Sequence, residues 1–201
     1  MRRFASHPLP QIFVARHGET EWSRSGQHTG RTDIELTERG VRDARRLGQQ
    51  IEDLAPDAVF TSPLRRATAT CRIAGYADLA VDDPDLVEWN YGAYEGKTTR
   101  EIRQQRPDWN LFDDGCPAGE TLAEVADRAH RVIQRIRAID GNVLLFSHGH
   151  FLNILATCWI GLDPRFAGRF YLDPATLSIL GYHHDRTDPV IRLWNDADNG
   201  E

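Results

Sequence analysis

Lysine is almost missing from this chain: Lys97 is the only one among 24 basic residues, and the remainder are arginine. The planar arginine fork matches phosphate and carboxylate oxygens, so the bias permits local anion sites. It does not make the chain basic, because 30 acidic residues bring the formal net charge to -6. That balance argues against extensive binding of nucleic acid or an anionic membrane. Cysteine is scarce too: Cys71, Cys116 and Cys158 are odd in number, widely spaced and without a CxxC pair. Neither a disulfide framework nor a zinc knuckle is indicated, and a reducing cytoplasm is the expected setting. No stretch approaches the ~18 apolar residues of a membrane span, and the opening "MRRFASHPLPQ" lacks the apolar core of a signal peptide. Absent as well are a GxGxxG turn, a P-loop, a GxSxG elbow and an HExxH pair. These gaps count against nucleotide cofactors, a serine hydrolase and a zinc enzyme.

What is present is alternation. At 201 residues and 40% hydrophobic content the chain suits one domain over 1–201, with residues 1–10 as a loose extension. "IFVAR" reads as a buried strand, and "LTERGVRDARRLGQQIEDL" follows with Val41, Ala44, Leu47, Ile51 and Leu54 at helical spacing, capped by Thr37. "AVFTS" and "LRRATATCRIAGY" repeat the strand-then-helix order, and "LAV" at 79–81 makes a third short strand. The acidic, aromatic "DDPDLVEWNYGAYEG" reads as an ordered loop, with Trp89 assigned to the core. "TTREIRQQR" and "TLAEVADRAHRVIQRIRAI" are helical, "NVLLFSH" is the most apolar strand, and a helix runs from Gly149 to about Trp159. "LSILGYHH" and "VIRLWN" form a closing hairpin around Asp188 and Pro189. The expected fold is α/β, a three-layer sandwich whose central sheet is mostly parallel. Ligands of such sheets bind beyond the carboxyl ends of the strands.

Chemistry concentrates at those ends. Arg16, His17 and Gly18 close the first strand, and His148 and Gly149 close "VLLFSHG". If these strands are neighbours, the imidazoles converge under the positive N-terminus of the helix that begins near Gly149. "TSPLRRATAT" brings Arg65 and Arg66 to a third strand end, where one of two adjacent residues can face the ligand. Arginines, histidines and a helix N-terminus suit a dianionic phosphoryl group. A neutral imidazole with one nitrogen tied to a backbone carbonyl offers its other lone pair for attack, which makes His17 the candidate nucleophile. Glu88, flanked by aromatics and beside a bound anion, is expected to start protonated and serve as proton donor, favouring activity on the acid side of neutrality. His148 with His150, or His183 with His184, was weighed as a metal site and lacks matching carboxylate spacing, so no metal and no cofactor are expected.

"RHGETEW", "TGRTDIELTERG", "TSPLRRATAT", "EWNYGAYEG" and "FSHGH" occur in the order found in the histidine phosphatase superfamily, which this sequence resembles from Ile12 to Trp194. Within that phosphoglycerate mutase-like fold it looks most like the acid phosphatases and is also similar to sedoheptulose-1,7-bisphosphatase. The resemblance implies His17 as the phosphorylated nucleophile, Glu88 as proton donor, and Arg16, Arg66 and His148 as phosphate ligands. It selects Arg66 over Arg65, because the family's arginine precedes an alanine. Ser23, Thr29, Gly30, Tyr91 and Arg100 match positions near the substrate in relatives, and Gly149 opens the helix at the phosphate. The implied activity is metal-independent hydrolysis of small phosphorylated substrates such as sugar phosphates. A cofactor-dependent mutase is the nearest alternative, and a non-catalytic phospholigand-binding module is the alternative of another class. Oligomeric state is not legible.

Overall fold

The computed structural model describes residues 7–197, so the first six residues of the expected extension lie outside the described residues. Its centre is a six-stranded sheet. In chain order the strands are β1 (Ile12–Arg16), β2 (Ala58–Thr61), β3 (Ala80–Asp82), β4 (Val143–Ser147), β5 (Leu177–Tyr182) and β6 (Pro189–Asp196). Across the sheet the order is β3-β2-β4-β1-β5-β6. The first four of these neighbours pair in parallel, whereas β5 is antiparallel to both β1 and β6. The sheet is therefore mixed, with its parallel half carrying every strand end that the sequence singles out.

Alternation along the strands builds two cores. Ile12 and Val14 of β1 face one side, with Val143 and Leu145 of β4; Phe13 and Ala15 face the other, with Leu144 and Phe146. On the first side pack α6 (Leu122–Arg137) and α7 (Gly149–Trp159), and on the second α2 (Glu38–Gln50) and α3 (Arg65–Ile73). Three layers result. Thr37 caps α2 by accepting from the Gly40 amide, and Thr121 with Glu124 forms a capping box on α6. Among the described residues no helix is long and apolar enough to cross a membrane.

The structure adds short elements. Helix α1 (Glu21–Ser25) buries no residue, and α5 (Leu111–Asp114) is one turn, so neither carries an apolar period. The anticipated helix in "TTREIRQQR" is α4 (Thr99–Gln105). The acidic aromatic loop contains 3-10 turns at Pro84–Leu86 and Gly92–Tyr94, and Trp89 is fully buried in it. The closing hairpin is shifted from its expected limits: β5 ends at Tyr182, leaving His183 and His184 in the turn, and Pro189 starts β6.

One contact pins the loop after β1. A Cβ on Gly40 would lie 2.2 Å from the Glu19 carbonyl oxygen, and one on Gly18 would lie 2.6 Å from the Gly40 carbonyl. Helix α2 thus begins in direct backbone contact with the segment that carries His17. Gly40→Ala gains about 0.5–1 kcal/mol of helix propensity, but forces that backbone apart at a cost of about 1–3 kcal/mol. The overlap wins, and urea unfolding should show a net loss of stability.

Candidate active site

Strand pairing brings the two histidines together. Arg16 is in register with Ser147, and the His17 amide donates to the Ser147 carbonyl at 2.9 Å. The rings of His17 and His148 then stand 5.1 Å apart at 58°. His17 Nδ1 lies 2.7 Å from its neighbour's carbonyl, Gly18 O. A carbonyl only accepts, so the proton is on Nδ1 and Nε2 keeps its lone pair. Burial, then the charges of Arg66 and Arg16, hold the His17 pKa well below 6.5. The neutral form persists well into the acid range.

Arg66 is fully buried. Its Nε donates to His148 Nδ1 at 3.1 Å, Nη1 to Thr32 O at 3.0 Å, and Nη2 to Thr29 O at 3.0 Å and Gly30 O at 2.9 Å. Because His148 Nδ1 accepts, its proton sits on Nε2, which donates to Ser62 Oγ at 2.8 Å. Arg65 turns the other way: its guanidinium pairs with Glu35 and its amide bonds Asp33 at 2.8 Å. Arg16 donates through Nη1 to the Leu172 carbonyl, and its buried Nε has no partner among the described residues. Gly149 packs against that Nε, at 3.3 Å from where its Cβ would be.

Glu88 is buried at the first turn of α7. Its Oε1 accepts from the Trp89 and Phe151 amides, each at 2.9 Å, and Oε2 from the His150 amide at 3.1 Å. A second buried guanidinium supports the loop that carries it. Arg128 donates to Asp85 O at 2.7 Å and Val87 O at 2.9 Å, and pairs with Glu120 at 2.8 Å. Ser147 Oγ donates to Leu86 O at 2.6 Å.

These groups border a cavity of about 300 Å³, lined among others by Arg16, His17, Ser23, Thr29, Glu88, Tyr91 and Gly149. Arg66 and His148 are buried behind it, bonded to Thr29 and stacked near His17 respectively. Two expected substrate neighbours are placed elsewhere. Gly30 is outside the lining, donating to Glu95 Oε1 at 2.8 Å, and Arg100 is exposed beside an adjoining depression with Thr98 and Gln104. Ser23 lines the cavity, yet its hydroxyl is committed to Thr20: Oγ accepts from the Thr20 amide at 2.9 Å and donates to the Thr20 carbonyl at 3.1 Å. His150 meets Tyr91, its Nδ1 sharing a hydrogen bond of 2.6 Å with the Tyr91 hydroxyl. Burial raises the pKa of that phenol well above 10. Burial takes His150 down to about 4, and burial with His150 nearby does the same for His28.

Sequence reasoning missed Ser62, Arg128, Glu120, His28 and Asn153. Only the helical spacing of Asn153, four residues beyond Gly149, could have marked it as facing the same space. His183 and His184 meet Asp188 at 3.6 and 3.0 Å on the exposed hairpin turn, outside the cavity. A larger groove of about 590 Å³, lined by residues including Glu35, Arg65 and Asp82, holds no histidine.

The chain is 41% identical to an acid phosphatase of Mycobacterium tuberculosis, over 87% of each protein. It is 37% identical to the sedoheptulose 1,7-bisphosphatase of Saccharomyces cerevisiae, over 78% of this chain and 69% of that one. The solved structure of an open reading frame product from Mycobacterium tuberculosis superposes with a TM-score of 0.86 at 36% identity, covering 93% of this chain and 97% of that one. The profile of the histidine phosphatase superfamily (branch 1) spans residues 12–197. The mixed six-stranded sheet flanked by helices matches the fold of these relatives, and the chain belongs to the histidine phosphatase superfamily.

Proposed function

We propose that the protein is a metal-independent phosphatase that hydrolyses small phosphate monoesters through a phosphohistidine on His17. The observation that carries this reading is the tautomer of His17, whose Nδ1 is tied to Gly18 O, leaving Nε2 unprotonated beside two guanidinium groups. Phosphatase activity is also what the names of the relatives describe.

The steps follow from the donor inventory. His17 Nε2 attacks phosphorus, forming the P–N bond as the ester P–O bond breaks. Arg66 spends four of its five N–H donors on protein groups, whereas Arg16 spends one. Arg16 is therefore the principal ligand for the phosphoryl oxygens, and Arg66 supplies its last N–H and its charge. Glu88 takes the His150 and Phe151 amides at the start of α7, so the helix adds to the stabilisation of the developing charge through its dipole. Glu88 Oε1 already accepts two amide bonds and Oε2 one, so the proton for the leaving oxygen belongs on Oε2. In the second step water attacks phosphorus, Glu88 takes its proton, the P–N bond breaks, and inorganic phosphate is released.

His17→Ala should lower turnover of p-nitrophenyl phosphate by about 10⁴-fold or more and remove acid-labile label from protein quenched during turnover. The wild-type rate should be the same in EDTA. Full activity in the variant, or loss on chelation, would refute the mechanism.

Glu88→Gln should distinguish leaving groups. An alkyl phosphate, whose alkoxide needs the proton, should lose about 10²–10⁴-fold in kcat/KM, and the nitrophenyl ester far less. Equal losses would remove Glu88 from the role of proton donor.

The pH profile has a definite sign. A histidine whose pKa is lowered stays neutral as pH falls through 6.5, so no decline in kcat at saturating ester should centre there. An acid limb with its midpoint near 6.5 would contradict the buried neutral nucleophile.

A further inference from the structure

The inner half of the cavity is charged, and the outer half is not. Among the described residues Arg16 and Glu88 are the only charged side chains in its lining. Beyond them the wall is made by Gln27, His28, Thr99, Tyr91, His150 and Asn153. His28 and His150 are neutral at pH 7, each with a pKa near 4. A second phosphate or a carboxylate on the leaving group would therefore find no cation in this wall.

Asn153 gives the wall a specific demand. It is 6% exposed and lies one helical turn along α7 from Gly149. Its Nδ2 donates to the Phe170 carbonyl at 3.0 Å, which settles which end of the amide is oxygen. The remaining atom, Oδ1, has no hydrogen-bond partner among the described residues. A buried acceptor is costly to leave unpaired, and an anionic substituent could only repel it. A hydroxyl satisfies it. The His150 ring, paired with the Tyr91 hydroxyl at 2.6 Å, lines the same wall and adds no charge to it.

We propose that the leaving group is a small neutral polyol, and that Asn153 selects it by accepting a hydrogen bond from one of its hydroxyls through Oδ1; this rests on the phosphatase reading above. The assignment separates the preferred ester from bisphosphates and from phosphoglycerates, which carry a second charge.

Steady-state kinetics on four esters test it: glycerol 1-phosphate, propyl phosphate, 3-phosphoglycerate and a hexose 1,6-bisphosphate. The wild-type chain should favour glycerol 1-phosphate over each of the others by about tenfold or more in kcat/KM. In Asn153→Leu, the loss on glycerol 1-phosphate should exceed the loss on propyl phosphate by about the same factor, while the inhibition constant of inorganic phosphate shows whether the inner half is intact. Equal wild-type rates on glycerol and propyl phosphate would overturn the proposal, as would equal losses on both in the variant, the mark of a purely structural tether to Phe170. A preference for the bisphosphate would also overturn it and direct attention to Arg100. If the wild-type chain turns over none of these esters and no p-nitrophenyl phosphate, the phosphatase reading fails, and this proposal with it.

Discussion

The constraint on which the site depends is the burial of a guanidinium with no carboxylate bonded to it. Arg66 is fully buried and is met by three carbonyls and one imidazole nitrogen. A buried charge without solvent is expensive unless dipoles replace the water. The chain supplies them by turning residues 29–32 so that their carbonyls converge. Glu95 holds that turn, its Oε1 accepting from the Gly30 amide at 2.8 Å and the Thr32 amide at 3.0 Å. Once Arg66 is fixed, so is the protonation of its neighbours: its Nε selects the tautomer of His148, and its charge helps keep His17 neutral. The neutral state of His17 is thus tied to how a cation was buried.

Distance along the chain is bridged by strand register and by a second buried arginine. Parallel pairing of β1 with β4 places residues 131 positions apart beside each other, so the spacing of His17 and His148 inherits the rigidity of the sheet. Glu88 has no strand to hold it. Its loop is positioned by Arg128, which gathers the carbonyls of Asp85 and Val87 and is itself held by Glu120. Helix α6 therefore serves the reaction without a residue in the cavity lining.

The strands and long helices were legible because their apolar positions repeat with the right period. Helices α1 and α5 were not, since one turn with few buried residues carries no period. The closing hairpin of β5 and β6 was legible from the turn between them, whereas the antiparallel join of β5 to β1 was not, because no local pattern in β5 names its other neighbour. His17, His148 and Glu88 stood out as chemistry-bearing residues at strand ends or in an aromatic loop. The residues that orient them did not, because their roles come from contacts across the fold: Ser62 reaches His148, and Arg128 reaches the loop at 85–88. The pattern left open whether either Arg65 or Arg66 meets the ligand; motif resemblance selected Arg66, and side-chain pairing with Glu35 explains where Arg65 went. Ser23 illustrates the converse. Its position beside the cavity was anticipated, but the hydroxyl is consumed by the cap of α1.

The unpaired Nε of Arg16 has a consequence at the other end of the catalytic cycle. In the proposed reaction, the donor that welcomes the phosphoryl group of an ester is equally open to free phosphate, which offers the same oxygens. Attraction of that kind is shared by substrate and product and does not distinguish them. In that scheme the outer wall, which meets only the leaving group, tells ester from phosphate, and the two compete for the inner pocket.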